Sequence, residues 1–500
     1  VPLLKPTSLP PVLEQKHAHR RIGLWLVLTL AVVLRLIDLG TVPPTFSTAD
    51  EFHHLWCGLS LLNGDRATSW SNLPGYAGGP AEIGKVPIEL VHRLVGLPPP
   101  TEEQPRLGWL LRGSKPEPPP GPMMLMRPAL DHPPLYSLVA GGFARLTGAR
   151  AVETTTDRGQ HVRLWGVNLG RARLLSILLH TFAMLLLYDL AARRCGHAVA
   201  LLAVALLACN SHAILHNRLL VTESLSLPLF LGNLCAWERF RTRRWGEVRF
   251  AMVTMLCCAA ALLTKLIAVS QAPAMLMLLL WAGKRRAALY PIFGVALGLA
   301  IYLTYAASQG WGVFLDILHN QASRFDGFSS LREFITKPQL IELNSFNMVL
   351  FAGWFAFFGL LLTSRHRVRP LLAASAVYLL SFSYFSAAHQ MFGWHAQPFY
   401  PFLVLAFAVV FMRVAWRPEP LAYAALLLLL LPAAFDFLSY LQGNLALIRS
   451  AFLLVVAAAL LLPSLLPRRA ALLFQRGLLG AALVTLVLHQ LWGIWVLSQV

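Results

Sequence analysis

Apolar runs of bilayer-spanning length recur along most of this chain. Windows of about 20 mostly apolar residues, enough to cross a hydrocarbon core, begin near Leu24 and continue to Val500. The pattern places spans at 22–40, 172–192, 197–211, 221–238, 249–264, 266–283, 288–307, 346–363, 370–387, 398–415, 420–440, 446–466 and 471–498, thirteen in all. Run 197–211 is short, so it borrows length from its neighbours or sits tilted. Residues 134–147 are also apolar, but Leu135, Leu138, Val139, Phe143 and Leu146 fall on one helical face. That predicts an amphipathic helix lying along the outer interface rather than a span. Residues 41–171 then form one large outer loop, extended over its proline-rich stretch 97–122, and a second outer loop runs from Ser308 to Ser345. The predicted fold is an all-α polytopic membrane protein with a cytoplasmic segment 1–21, a transmembrane module 22–415 and C-terminal helices 416–500.

Composition agrees. Hydrophobic residues make up 57% and charged residues 13%, against about 25% charged in a soluble domain. The net charge of +19 would suggest nucleic acid in a soluble protein. Here the basic residues sit in short loops: Arg193-Arg194, 239–249, Lys284-Arg285-Arg286, Arg365 to Arg369, Arg413 with Arg417, and Arg468-Arg469. The thirteen-span threading puts all of them on the side of Lys16, Arg20 and Arg21, which the positive-inside rule makes cytoplasmic. Counting 134–147 as a span would move every later cluster outside. Anionic lipid is the expected counter-charge and nucleic acid is not an expected partner. Residues 1–21 are too polar for a signal peptide, so the first run reads as a retained span in a bacterial plasma membrane. The six cysteines form no CxxC pair and read as small packing residues.

Five polar motifs from distant parts of the chain end on the outer side. Asp50-Glu51-Phe52-His53-His54 follows the first span, and carboxylates beside hydrocarbon are costly and tend to be functional. Asp50 and His54 share a helical face. A capping role is compatible, since Thr48 to Glu51 and Ser47 to Asp50 both fit capping boxes. Asn63-Gly64-Asp65 ends that helix. Asp131-His132-Pro133-Pro134-Leu135-Tyr136 starts the interfacial helix and offers an anion free amides and an imidazole. Arg218 to Glu223 enters the next span, with Arg218 as the expected partner of Glu223. Lys265 follows Thr264 as a lone outer cation, and His389 to Gln397 fills a further outer loop. Asp189 and Asp436 lie in spans without an evident role. Acids and cations gathered beside an apolar interior suit an anionic, lipid-linked substrate.

The motifs resemble those of the GT-C membrane glycosyltransferases, in particular the protein O-mannosyltransferase and aminoarabinose transferase group, over roughly residues 22–410. The resemblance rests on Asp50-Glu51 with Leu61-Leu62-Asn63-Gly64-Asp65, His132-Pro133-Pro134-Leu135-Tyr136, Arg171 to Gly196, Arg218 to Glu223, and Leu263-Thr264-Lys265. It implies sugar transfer from a polyprenyl-phosphate donor to an acceptor hydroxyl on the extracytoplasmic face, with inversion at C1. Asp50 would then be the general base, with Glu51 and Glu223 assisting in catalysis. Lys265, Arg218, His132 and His395 would bind the donor phosphate. His54, Asp131, Tyr136 and Gln397 would meet the acceptor or the sugar. The acceptor is a protein, lipid or glycan. Relatives carry Arg or Tyr near His53-His54, Glu-Lys in place of Asp131-His132, and Arg or Lys near Gln397, so the phosphate clamp is expected to be rebuilt here. No cofactor is required by such chemistry, although Glu51, His54 and Asp131 offer ligands suited to a divalent metal. The alternative is a transporter or flippase of lipid-linked sugars, for which acids at the outer edge and the lack of an inverted repeat are poor matches.

Overall fold

The computed structural model describes residues 17–498 apart from 41–49, 97–121, 387–392, most of 420–464, and stretches of one to three residues near 72–75, 324–326, 337–344, 364–366 and 418. Spans 420–440 and 446–466, Asp436, His389 and both capping boxes upstream of Asp50 therefore lie largely or wholly outside the described residues.

Helix α1 (His17–Leu36) leads to α2 (Asp50–Leu62). The outer segment that follows is more structured than a loop. Strands β1 (Ser69–Trp70), β2 (Glu82–Val86) and β3 (Met123–Met126) form a small antiparallel sheet in the order β1-β3-β2, with α3 (Ile88–Leu94) after β2. Helix α4 (Pro134–Leu146) precedes a hairpin of β4 (Arg150–Thr155) and β5 (His161–Gly166), paired from Arg150 opposite Gly166 to Thr155 opposite His161. Strands β1 to β3 have two to five residues, and the longer β4 and β5 are too polar to stand out beside the apolar runs of the sequence. Phe52, Leu55, Trp56 and Leu59 of α2 share a core with Val86, Val91, Leu125, Tyr136 and Leu164, which binds this outer unit into one body.

The bundle follows: α5 (Leu169–Cys195), α6 (His197–Cys209), α7 (Ser211–His216), α8 (Glu223–Arg241), α9 (Glu247–Thr264), a 3-10 turn at Leu266–Ser270, α10 (Gln271–Trp281) and α11 (Leu289–Ala322). Next come α12 (Ser329–Thr336), α13 (Met348–Leu362), α14 (Arg369–Tyr384), α15 (Tyr400–Trp416) and α16 (Arg468–Ser498). By length and composition, four of the described helices can cross a membrane: α5, α9, α11 and α16 up to Ile494. Several other predicted spans coincide with shorter apolar helices, among them α6, α13, α15 and the stretch Leu266–Trp281.

Small residues set the helix spacing. Gly294 and Gly298 of α11 lie against Met255 and Ala259 of α9, where an added Cβ would sit 2.6 Å and 2.9 Å from carbonyl oxygens. This is the close small-residue packing that helices use when no hydrophobic effect drives them together. Helix α11 runs on to Ala322, so the first part of the predicted outer loop from Ser308 is helical. It kinks at Gly310, whose φ of 151° suits glycine. Beyond the kink, Phe314 and Ile317 are buried, Ile317 against Leu73, Tyr76 and Ala129 of the outer unit.

Two charged features inside the apolar runs have structural partners. Asp189 is bonded by Arg193 at 2.7 Å and Arg239 at 2.8 Å, tying α5 to α8. Arg35, fully buried, donates to the carbonyls of Ala31, Leu207 and Ala208, and so covers the exposed acceptors that end α6.

Candidate active site

Helices α2 and α4 build the floor of the site by crossing very closely. Gly58 faces Gly141, and no Cβ fits at either position. The prolines at Pro133 and Pro134 start α4. Its small face, with Ser137, Ala140, Gly141 and Ala144, packs inward. Leu135, Leu138, Val139 and Phe143 are half-buried and Leu146 is exposed. The apolar face seen in the sequence is thus the outward one, as an interfacial helix requires.

This crossing brings three imidazoles together. His53 and His54 contact each other at 5.3 Å between ring centroids, and His132 contacts them at 5.3 Å and 5.1 Å. The Tyr136 ring lies edge-on to His54 at 4.9 Å. His54 Nδ1 is 3.2 Å from the Ser137 hydroxyl and His53 Nδ1 is 3.2 Å from the Trp70 carbonyl oxygen. Burial, then electrostatic interaction with His132, His53 and Lys265, holds the His54 imidazole well below its usual range. Asp131 accepts a 2.6 Å hydrogen bond from Ser71.

Asp50 opens α2 and is half-buried. Burial raises its carboxyl above the ordinary range, and Lys265 and His53 pull it back down while Glu223 and Asp131 push it up. The fold thus brings Asp50 together with Asp131, Glu223 and Lys265, which come from three other motifs. Glu223 begins α8 and is buried. Its Oε1 receives Lys265 Nζ at 2.6 Å and lies 3.7 Å from His395 Nε2, and its Oε2 accepts from the Thr222 hydroxyl at 3.0 Å. Lys265 reaches it because α9 ends at Thr264 and Lys265 takes an extended backbone.

Other expectations are corrected. Glu223 is held by Lys265 rather than by the expected Arg218, which is buried and donates to the Leu34 carbonyl at 2.8 Å. Glu51 is fully buried and bonded twice by Arg173, at 2.9 Å to Nε and 2.8 Å to Nη2, while the Leu220 amide donates to the same carboxylate at 3.1 Å. Glu51 therefore anchors α2 to α5 and to the entry of α8. Both of its carboxylate oxygens are thus engaged within the protein. Among the described residues no group of three or more His, Cys, Asp or Glu is arranged to hold a metal ion. Tyr136 and Gln397 are buried rather than open to an acceptor, and the Gln397 amide meets His180 Nε2 at 2.9 Å.

Sequence reasoning missed Arg173, His53 and His180. Arg173 had a signal, because a cation inside an apolar run demands a partner. His53 had none beyond adjacency to His54.

The chain is similar to known proteins in both sequence and fold. Residues 126–289 match the family model described as dolichyl-phosphate-mannose-protein mannosyltransferase. This stretch includes Asp131, His132, Glu223 and Lys265. The crystal structure of ArnT from Cupriavidus metallidurans bound to undecaprenyl phosphate has the same fold, with a TM-score of 0.52 at 16% identity over 93% of this chain and 76% of that one. The Archaeoglobus fulgidus oligosaccharyltransferase tethered with an acceptor peptide aligns with a TM-score of 0.43 at 12% identity, over 95% of this chain and 55% of that one. No curated protein matches by sequence.

Proposed function

We propose that this chain, a membrane glycosyltransferase of the GT-C type that uses a polyprenyl-phosphate-linked sugar, transfers that sugar to an acceptor hydroxyl with Asp50 as the general base. The carrying observation is the meeting of Asp50 with Lys265, Glu223 and Asp131 at the junction of outer unit and bundle. Asp50 takes the hydroxyl proton as that oxygen attacks C1, and displacement from the opposite side inverts the anomeric centre. Charge grows on the departing phosphate, and a fixed cation beside it stabilises that charge without reorganising. Lys265 is the cation best placed for this, with His132 and His395 flanking it. Glu223 holds Lys265 in position. The positive-inside distribution supports an extracytoplasmic site, a cytoplasmic N-terminus and a bacterial plasma membrane.

General-base help is worth about 10²–10⁴-fold. Asp50→Asn is therefore expected to lower transfer by at least about 10²-fold while leaving binding of undecaprenyl phosphate intact. Near-normal turnover by this variant would overturn the assignment.

A further inference from the structure

At the end of the bundle away from Asp50, an apolar groove meets a cluster of cations. Helix α9 ends beside Lys265 in the site and α10 runs back from it, which carries Trp281 and the loop 282–288 to that far end. Pro273, Leu276, Met277, Leu280 and Trp281 recur at helical spacing on one face of α10 and line an open groove of about 520 Å³. Small-ligand sites span about 300–1,000 Å³. Met275, Leu278 and Leu279 lie on the other face, in the bundle core, so the grooved face is the outward one. An outward apolar face is ordinary in a membrane protein. What sets this one apart is the chemistry at its end.

Arg369, the first residue of α14, holds its guanidinium carbon 5.6 Å from the centre of the Trp281 ring. Its Nε is buried and has no hydrogen-bond partner among the described residues. Buried polar atoms are seldom left this way, and such an exception calls for an explanation. Lys284, Arg285, Arg286 and Arg367 are exposed around the same end. The acids there are mostly engaged already. Asp189 is bonded by Arg193 and Arg239, Glu238 by Arg194 and Arg241, and Glu247 accepts from the Tyr290 hydroxyl. Of the described acids at this end, exposed Glu419 beyond α15 is the one left over. Positive charge therefore remains in excess where the groove ends, and a tryptophan marks the depth at which such rings meet headgroups.

We propose that an anionic phospholipid binds here, with one acyl chain along the α10 groove and its phosphate against the Arg369 guanidinium beside Trp281. Basic pockets beside transmembrane helices recognise acidic lipid headgroups in this way. A phosphate oxygen accepts from the guanidinium in a charge-assisted hydrogen bond. A zwitterionic lipid offers the same chain, but its own ammonium group meets Lys284, Arg285, Arg286 and Arg367 and is repelled. The site lies at the other end of α10 from Lys265 and does not depend on how the sugar is transferred.

The test counts lipids held by the protein. Full-length protein in mild detergent is titrated with phosphatidylglycerol and with phosphatidylcholine, and the retained lipids are counted by native mass spectrometry. The first phosphatidylglycerol is expected to bind the wild-type protein more tightly than any phosphatidylcholine. Arg369→Gln should weaken that first binding by at least about fivefold, as loss of one cation beside an anionic lipid implies. Leu276→Trp fills the groove without changing charge and should weaken it as well; Met277→Trp tests the same groove if that variant does not fold. Arg21→Gln removes the same charge from α1, which packs on α5, α6 and α7, and should leave the first binding unchanged. Equal weakening by Arg21→Gln and Arg369→Gln would mean diffuse attraction to a basic face and overturns the proposal. Normal binding by a folded groove-filling variant overturns it too. So does displacement of the first phosphatidylglycerol by undecaprenyl phosphate, which would give the groove to a polyprenyl lipid.

Discussion

Gly58 and Gly141 meet where α2 crosses α4: a side-chain carbon built on Gly141 would lie 2.5 Å from the Gly58 carbonyl carbon. The contact is backbone against backbone, so neither helix can yield by turning a side chain. Overpacking a tight contact costs about 1–3 kcal/mol, occasionally more. Gly141→Ala is expected at or above the top of that range, and thermal unfolding of the purified protein measures it. Because the crossing sets His53 and His54 against His132, turnover should fall with stability. Gly142→Ala, with the nearest side-chain atom 3.8 Å away, should be nearly silent and serves as the control.

Adjacent Asp50 and Glu51 are expected to respond in opposite ways to the same amide substitution. Glu51→Gln leaves the guanidinium of Arg173 buried without its counter-charge, a loss on the order of 3–5 kcal/mol. Asp50→Asn removes a half-buried carboxylate and should cost little stability while removing activity. A melting curve and a transfer assay on both variants check the contrast. Equal melting temperatures would contradict the anchoring role of Glu51.

Loss of Lys265 bears first on the donor. Hydrogen bonds to charged groups contribute about 1.5–3 kcal/mol, so Lys265→Met should weaken binding of undecaprenyl phosphate by about 10- to 150-fold. Glu223→Gln leaves the cation in place but unheld, and its effect should be smaller. Titration of the lipid against intrinsic tryptophan fluorescence compares the two. Removing the Lys265 charge also removes the main force that pulls the Asp50 carboxyl down. The acid limb of the activity profile should therefore move to higher pH in Lys265→Met.

His54 makes stability depend on pH. Its folded-state imidazole is held well below the usual value, whereas the unfolded chain protonates near pH 6.5. As pH falls through about 6.5, the unfolded state binds the proton first, and stability declines until the folded-state value is reached. Melting temperatures between pH 7.5 and 5 should fall for the wild-type protein. His54→Gln should flatten that slope, and an unchanged slope would contradict the buried, neutral assignment.

The apolar periodicity announces the bundle because a membrane span must satisfy its backbone within itself, which leaves a long local signature. Glu51 and Arg173 show what such a signature omits. They are 122 residues apart, and their pairing depends on how α2 descends onto α5, which no local pattern records. Arg218 failed as the partner of Glu223 for the same reason: nearness in sequence stood in for geometry, and Lys265, 42 residues away, holds the position. Asp50, Asp131 and Glu223 could be read early because carboxylates are rare and costly beside hydrocarbon. His53 could not, since its contacts with His132 and the Trp70 carbonyl arise only from the tertiary fold. The outer strands escaped notice because β1 has two residues and β2 bends at Gly84.

Helix α6 has 13 residues, about 20 Å at 1.5 Å per residue, against a hydrocarbon layer of about 30 Å. Asn210, Ser211, His212 and His216, all buried in protein, continue the path where a longer helix would have stayed apolar. About a third of the oily slab is thus replaced, at this one place, by polar side chains enclosed in protein. The protein itself would then make up the length that this short helix lacks.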